Sequence, residues 1–475
     1  MYNYAMSLFD SFFKKNVIYL SILQILVALS FFVLIGSIAH VFPKESVGLY
    51  GNFRGLAQVL FVLYTMSFDI ALARYLGTYS KNKDAQKEIF STVVVLFGIS
   101  SILSTILLFL FSGFLTERFL KNDFLMFLAT VFSLFSMGIY KIVYTFYQGK
   151  KEIPKANIVQ FVAYFTGNIA IAVLVLTGTI KSIHIVAFLL GLFLFSPFVI
   201  LVKLVKENFV KRFRFKEVCY FALPRSISVF LSGLALSASV LLATYFYSYT
   251  VAADFTITSR ILRIVEIVTY AFNIIFMPLI AEKVAEGDFK LLKTSLSPFQ
   301  DIVIYVGLIG AFLVFALSKF LILSWLPERF FPSIFILQIM SPGVFFYFYF
   351  VMFRSIIHSM DEKPVQTYIE FVGVFGLFVT FSILYKLNLS PAITISLSVD
   401  IYFFLKAFYS FIFVNSRLSL EKKPALWVLN TLFLILLAFL STKNIVLSII
   451  LFILTEGLLG YRVYLPVLTG SRWRK

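Results

Sequence analysis

The sequence is short of most things that a water-soluble protein of its length needs. Charged residues fill only 13% of its 475 positions, against 60% hydrophobic, so lipid is the solvent for most of the chain. Cysteine occurs once, at Cys219, which excludes an internal disulfide framework and any multi-cysteine metal site. The three histidines, His40, His184 and His358, lie far apart, and no metal centre is expected. No nucleotide motif, phosphate-cradling glycine loop or nucleophile with a base beside it is present, so neither an enzymatic activity nor a cofactor is expected. A net charge of +18 raises the question of nucleic acid, but the Lys and Arg residues are scattered among short loops, and no nucleic-acid partner is expected. Loops do not exceed roughly twenty residues, which leaves no room for a folded domain outside the membrane. No cleavable signal is visible at the N-terminus, where Lys14-Lys15 leads into an apolar run too long for one.

What the chain has in abundance is apolar runs of about twenty residues, each long enough to cross hydrocarbon. They predict an all-α polytopic membrane protein with about fourteen transmembrane helices. The spans fall near 16–39, 48–78, 90–114, 123–147, 156–178, 184–206, 216–247, 251–281, 298–325, 333–358, 366–387, 392–416, 425–441 and 444–465. Loop charge tests that count independently. With the N-terminus inside, about 25 Lys and Arg fall in cytoplasmic segments against about 8 outside. The richest stretch runs from Lys203 through Lys211, Arg212, Arg214 and Lys216. Both termini are therefore expected in the cytoplasm, with the chain in the cell membrane, and Trp325, Trp427 and Trp473 fall at span ends or beyond.

An internal repeat divides the spans. Val47-Gly48-Leu49-Tyr50 and Val251-Ala252-Ala253-Asp254-Phe255 occupy matching places, as do Phe68-Asp69 and Phe272-Asn273 downstream. This predicts two pseudo-symmetric six-helix bundles, 1–210 and 211–418, followed by a helix pair and cytoplasmic tail at 419–475. With Phe221-Ala222-Leu223-Pro224 and Phe276-Met277-Pro278-Leu279-Ile280, these stretches make the chain resemble the multidrug/oligosaccharidyl-lipid/polysaccharide exporter superfamily, specifically its polysaccharide-biosynthesis flippases of the O-antigen type. The resemblance covers nearly the whole chain. It implies a V-shaped pair of bundles around a cationic cavity, which opens alternately to each side and moves a polyprenyl-linked oligosaccharide outward. Asp254, where an aromatic residue is usual, and Ala253, where glycine is usual, depart from the pattern.

Ionisable groups deep in a span cost a few kcal/mol each by insertion scales, so they are candidates for function. Arg260 and Arg263 lie roughly 14 and 18 Å from the outer end of span 8, and Glu266 shares their face. Two guanidiniums facing a diphosphate, with Glu266 orienting them, is the functional reading; an intrahelical ion-pair ladder is the structural one. Arg54, about six residues into span 2, either joins that site or snorkels outward. Arg225 on span 7 and Asp69 on span 2 lie at similar depth and could pair, as a static bridge or a gate. Lys141, Glu370 and Arg354 are expected simply to reach water. Asp400 and Glu456 are candidates for binding a coupling H⁺ or Na⁺. Pro224, Pro278 and Pro342-Gly343 are read as breaks in spans 7, 8 and 10, and the 60 phenylalanines as mainly lipid-facing.

The leading expectation is a flippase whose arginines hold a polyprenyl-(di)phosphate-linked oligosaccharide, with membrane lipid and other polysaccharide-assembly proteins as partners. An ion-coupled multidrug or cation antiporter of the same fold is the nearest rival. A membrane-embedded glycan polymerase or transferase is less favoured, because its acceptor-activating acids or histidines have no substantial outer loop to occupy.

Overall fold

The computed structural model describes residues 11–262, 269, 289–360 and 365–418. Arg263, Glu266, Pro278, Glu456 and the expected spans 13 and 14 lie outside them. The chain divides into two compact units, Met1–Arg260 and Ile261–Lys475.

In unit 1 the helices are α1 (Ser11–Val41), α2 (Lys44–Thr65), α3 (Phe68–Thr78), α4 (Lys83–Leu110), α5 (Ser112–Phe119), α6 (Phe124–Gly149) and α7 (Ile153–Gln160). A π-helical turn, Phe161–Thr166, joins α7 to α8 (Gly167–Leu176). Then come α9 (Ile183–Phe195), α10 (Phe198–Asn208), α11 (Phe215–Phe246) and α12 (Tyr249–Leu262), whose last two residues belong to unit 2. Unit 2 contains α13 (Phe289–Ala316), α14 (Ser318–Leu323), α15 (Pro332–Ile339), α16 (Ser341–Met360), α17 (Val365–Lys386) and α18 (Pro391–Leu418).

Among the described residues nine helices are long and apolar enough to cross a membrane, and counting each of two bent pairs as one span raises the number to 11. These coincide with expected spans 1 to 7 and 9 to 12. Their surfaces are inverted relative to a soluble protein. On α4, Ile99, Ile102, Leu103, Ile106 and Leu110 are exposed while Ser100, Ser101 and Ser104 are buried. In water that face would be unstable; against lipid tails it is the favourable arrangement, and Ser100 and Ser104 find hydrogen bonds inside the bundle. The protein is a multi-pass membrane protein.

The bends show how such a fold accommodates broken helices. Span 2 breaks at Met66 and Ser67, two consecutive residues in the left-handed region (φ 43° and 59°), turning α3 by 53° from α2. The break deprives the end of α2 of helical donors, and α4 supplies replacements: Ser104 donates to the Leu63 carbonyl at 2.7 Å and Ser100 to that of Tyr64. Span 2 carries no proline or glycine at this joint, so the expectation of one continuous helix over 48–78 is corrected. The local signal was Ser67-Phe68-Asp69, a capping-type residue followed by an acid in a new first turn. Span 10 breaks at Met340, where α16 turns by 56°, just ahead of Pro342-Gly343 as expected. Span 7 does not break: α11 runs through Pro224 as one helix of 32 residues.

Candidate functional site

Glycine lets α2 approach α12 closely. A methyl group at Gly48 would fall on the Tyr249 carbonyl oxygen, and one at Gly51 on the Thr256 hydroxyl. Beyond them, Asn52 ties three elements together, donating to the Phe119 carbonyl (2.9 Å) and accepting from Thr244 of α11 (2.8 Å). At the start of the α2–α12 seam Lys44 pairs with Asp254 at 2.8 Å. Asp254, the departure from the family pattern, thus has a specific partner 210 positions away.

This close packing sets two arginines at matching depth. Arg54 lies about ten residues, or ~15 Å, into α2, deeper than read from the sequence because α2 begins at Lys44. Arg260 lies about eleven residues, or ~16 Å, into α12. Both are half-buried, and both face the Phe31 ring of α1, with guanidinium carbons 5.2 Å (Arg54) and 5.9 Å (Arg260) from its centroid. Tyr164, carried on the π turn, packs on the same ring at 5.5 Å, and Tyr140 packs edge-on against Tyr164 at 5.0 Å. A π turn shifts side-chain register by one residue and is common where a helix presents a group to a site. The result is a cationic, aromatic-backed cluster within unit 1, suited to an anion whose carrier also has a stacking or apolar portion.

The remaining candidates are distributed differently. Asp69 is buried at the first turn of α3, where the amides of Asp69 and Ile70 face its carboxylate; Lys141 of α6 is the basic residue that acts on it. Arg225 forms no ion pair with Asp69, so the pairing considered from sequence is not made. Instead its guanidinium lies 3.7 Å from the centroid of Phe221, and its Nη1 donates to the Phe221 carbonyl at 3.0 Å. In unit 2 Asp400 is buried on α18, with Oδ1 lacking a hydrogen-bond partner among the described residues and close against Gly343 of α16. Arg354 is exposed.

Glu370 corrects an expectation. It does not reach water but is 1% exposed and paired to Lys406 at 2.8 Å. Tyr402 donates to its other oxygen, Oε2, at 2.8 Å, and Gln366 donates to Oε1, the oxygen facing Lys406, at 3.0 Å. Hydrogen bonds from Tyr402 and Gln366 complete the ion pair across two helices, which explains how two charges survive this deep in unit 2.

At the opposite end of unit 1 from the α2–α12 seam, Arg214 of the basic linker bonds Glu88 (2.7 Å), Glu217 (3.2 Å) and the Tyr79 hydroxyl (3.1 Å). Tyr79 in turn donates to Glu217 at 2.6 Å, which holds its proton and raises its pKa above the ordinary phenol value. Phe31, Tyr164 and Arg74, which also faces Phe221, were not singled out from sequence. Nothing marks Phe31 among so many phenylalanines; Arg74 sits one helical turn from a span end and reads as a snorkelling residue.

No protein-family profile matches the chain, and no curated protein does. Solved structures do share its fold. An inward-facing multidrug resistance MATE family transporter of the MOP superfamily superposes with a TM-score of 0.66 at 11% identity, covering 84% of this chain and 98% of that one. A variant of the Vibrio cholerae MATE transporter VcmN gives 0.61 at 13% identity, covering 85% and 97%. The lipid II flippase MurJ, in an inward closed conformation, gives 0.55 at 16% identity, covering 92% and 98%. The all-helical architecture is that of the MATE and MurJ transporters.

Proposed function

We propose that this chain is a flippase that carries a polyprenyl-(di)phosphate-linked oligosaccharide from the inner to the outer leaflet of the cell membrane for polysaccharide biosynthesis. The observation that carries the reading is the convergence of Arg54 and Arg260, at equal depth in two helices, on the single ring of Phe31. Guanidiniums at mid-depth offer an anionic headgroup charge-assisted, bidentate hydrogen bonds during transport. Arg263 and Glu266, which the spacing of three in the sequence puts with Arg260, are assigned to the same site in this reading and lie outside the described residues. In this reading the bundles 1–210 and 211–418 alternate access with both termini in the cytoplasm, and Asp69, Asp400 or Glu456 takes a coupling H⁺ or Na⁺. Resemblance in fold to a lipid II flippase supports a lipid-linked cargo.

Charge reversal tests it. Arg54→Glu with Arg260→Glu, expressed in a cell whose surface glycan depends on this protein, should abolish glycan export while membrane levels stay normal. Undiminished glycan at normal protein levels sinks the reading.

A cation antiporter is the second reading, favoured by the buried carboxylates Asp69 and Asp400, neither of which forms an ion pair among the described residues, and by the fold shared with MATE transporters. Resistance to cationic dyes conferred by expression, with no effect on glycan, would establish it instead.

A further inference from the structure

The arrangement on Phe31 occurs a second time in unit 1. At the other end of span 2, Arg74 of α3 lies 4.3 Å from the centroid of Phe221, and Arg225 of α11 lies 3.7 Å from the same centroid. The two guanidinium carbons are therefore within about 8 Å of each other, close enough for their charges to repel. The neighbouring acids do not relieve this. Glu88 and Glu217 are both engaged by Arg214, and Glu217 also accepts from Tyr79. Neither Arg74 nor Arg225 forms an ion pair among the described residues, and Asp69, one and a half turns before Arg74, is not bonded to it. Tyr75 closes the side of the cluster, its ring 5.7 Å from Phe221 and its hydroxyl donating to the Glu217 backbone carbonyl at 3.3 Å.

Two guanidiniums held together on one buried ring, with the local carboxylates already spent, are a fork for a doubly charged oxyanion. Arg225 is half-buried and Arg74 exposed, so the fork opens outward from unit 1. It lies near the C-terminal end of α3 and about ten residues, or ~15 Å, into α11. Positive loop charge marks that end as cytoplasmic.

We propose that Arg74, Arg225 and Phe221 form a second, entry-side station for the diphosphate headgroup, distinct from the Arg54–Arg260 station and occupied before it. The proposal rests on the flippase reading and adds a binding site to it. Along span 2, Arg54 and Arg74 stand on opposite sides of the Met66–Ser67 break, so one span contributes an arginine to each station. The headgroup then crosses between two compensated positions instead of through an uncompensated stretch of hydrocarbon.

Equilibrium binding of labelled polyprenyl diphosphate to the full chain in zwitterionic nanodiscs tests this. With Arg54→Gln and Arg260→Gln in place, residual binding should persist, be competed by inorganic pyrophosphate, and fall at least about tenfold on adding Arg74→Gln and Arg225→Gln. Arg74→Lys with Arg225→Lys, which keeps the charge but not the fork, should retain more of it than the Gln pair does and controls for folding. Residual binding unchanged by the Gln pair overturns the second station and leaves the first intact. Displacement by phosphatidylglycerol as effective as by pyrophosphate also overturns it, marking the pair as an anchor for bulk anionic lipid. Absence of polyprenyl diphosphate binding by the unaltered protein overturns both the station and the flippase reading.

Discussion

Replacing Glu370 by Met should destabilise unit 2 far more than replacing Glu370 and Lys406 by Met together. The pair is 2.8 Å apart with side chains 1% and 2% exposed, and each member has its capacity filled by the other, by Tyr402 and, for Glu370, by Gln366. Lys406 Nζ also lies 3.8 Å from the centroid of Phe350, a ring that stabilises the cation but cannot neutralise it. Removing Glu370 alone leaves an ammonium buried with a hydroxyl and two rings, a loss of about 3–5 kcal/mol. At about 1.4 kcal/mol per decade that reduces the folded-to-unfolded ratio by two to three and a half powers of ten. The double replacement removes both charges and fills similar volume with thioethers, so it should recover most of that loss. A double-mutant cycle in mixed micelles, following unfolding by denaturing detergent, measures the coupling directly. Additive single effects, with the double variant worst of all, would refute the account, since they would mean that neither charge depends on the other. The same cycle bears on function: a self-satisfied pair has no capacity left for a coupling ion, so the double variant should still transport.

The α2–α12 seam and the joint in span 2 give two further tests. Gly51→Leu places a branched side chain where Thr256 now sits, so it should separate α2 from α12, pull Arg54 away from Phe31, and lower transport at least about tenfold even where the protein reaches the membrane; wild-type transport would show that the close approach is not required. Ser100→Ala with Ser104→Ala leaves the Leu63 and Tyr64 carbonyls at the break without their α4 donors, at a cost of about 1–3 kcal/mol each, and the cycle described for Glu370 would read it; an unchanged midpoint would mean the break needs no support from α4.

Much of the architecture is already written in composition. Within the described residues each helix capable of crossing the membrane lies where an apolar run of about twenty residues predicts one, because in lipid a backbone must satisfy itself locally and a span is a local object. Depth could be counted along a helix too, and that is why Arg54, Arg225, Arg260, Asp69 and Asp400 stood out. Partnership could not. Glu370 and Lys406 are 36 positions apart, Lys44 and Asp254 are 210 apart, and nothing in either local stretch says that one closes on the other. The joint at Met66–Ser67 was legible in hindsight only, since its support comes from serines on another helix. That two pairs of arginines each share one phenylalanine, chosen from 60, is decided by packing alone. Apolar length and loop charge determine that the chain spans the membrane; only the tertiary structure brings charges from separate helices within a few ångströms, where burial makes their pairing worth kilocalories.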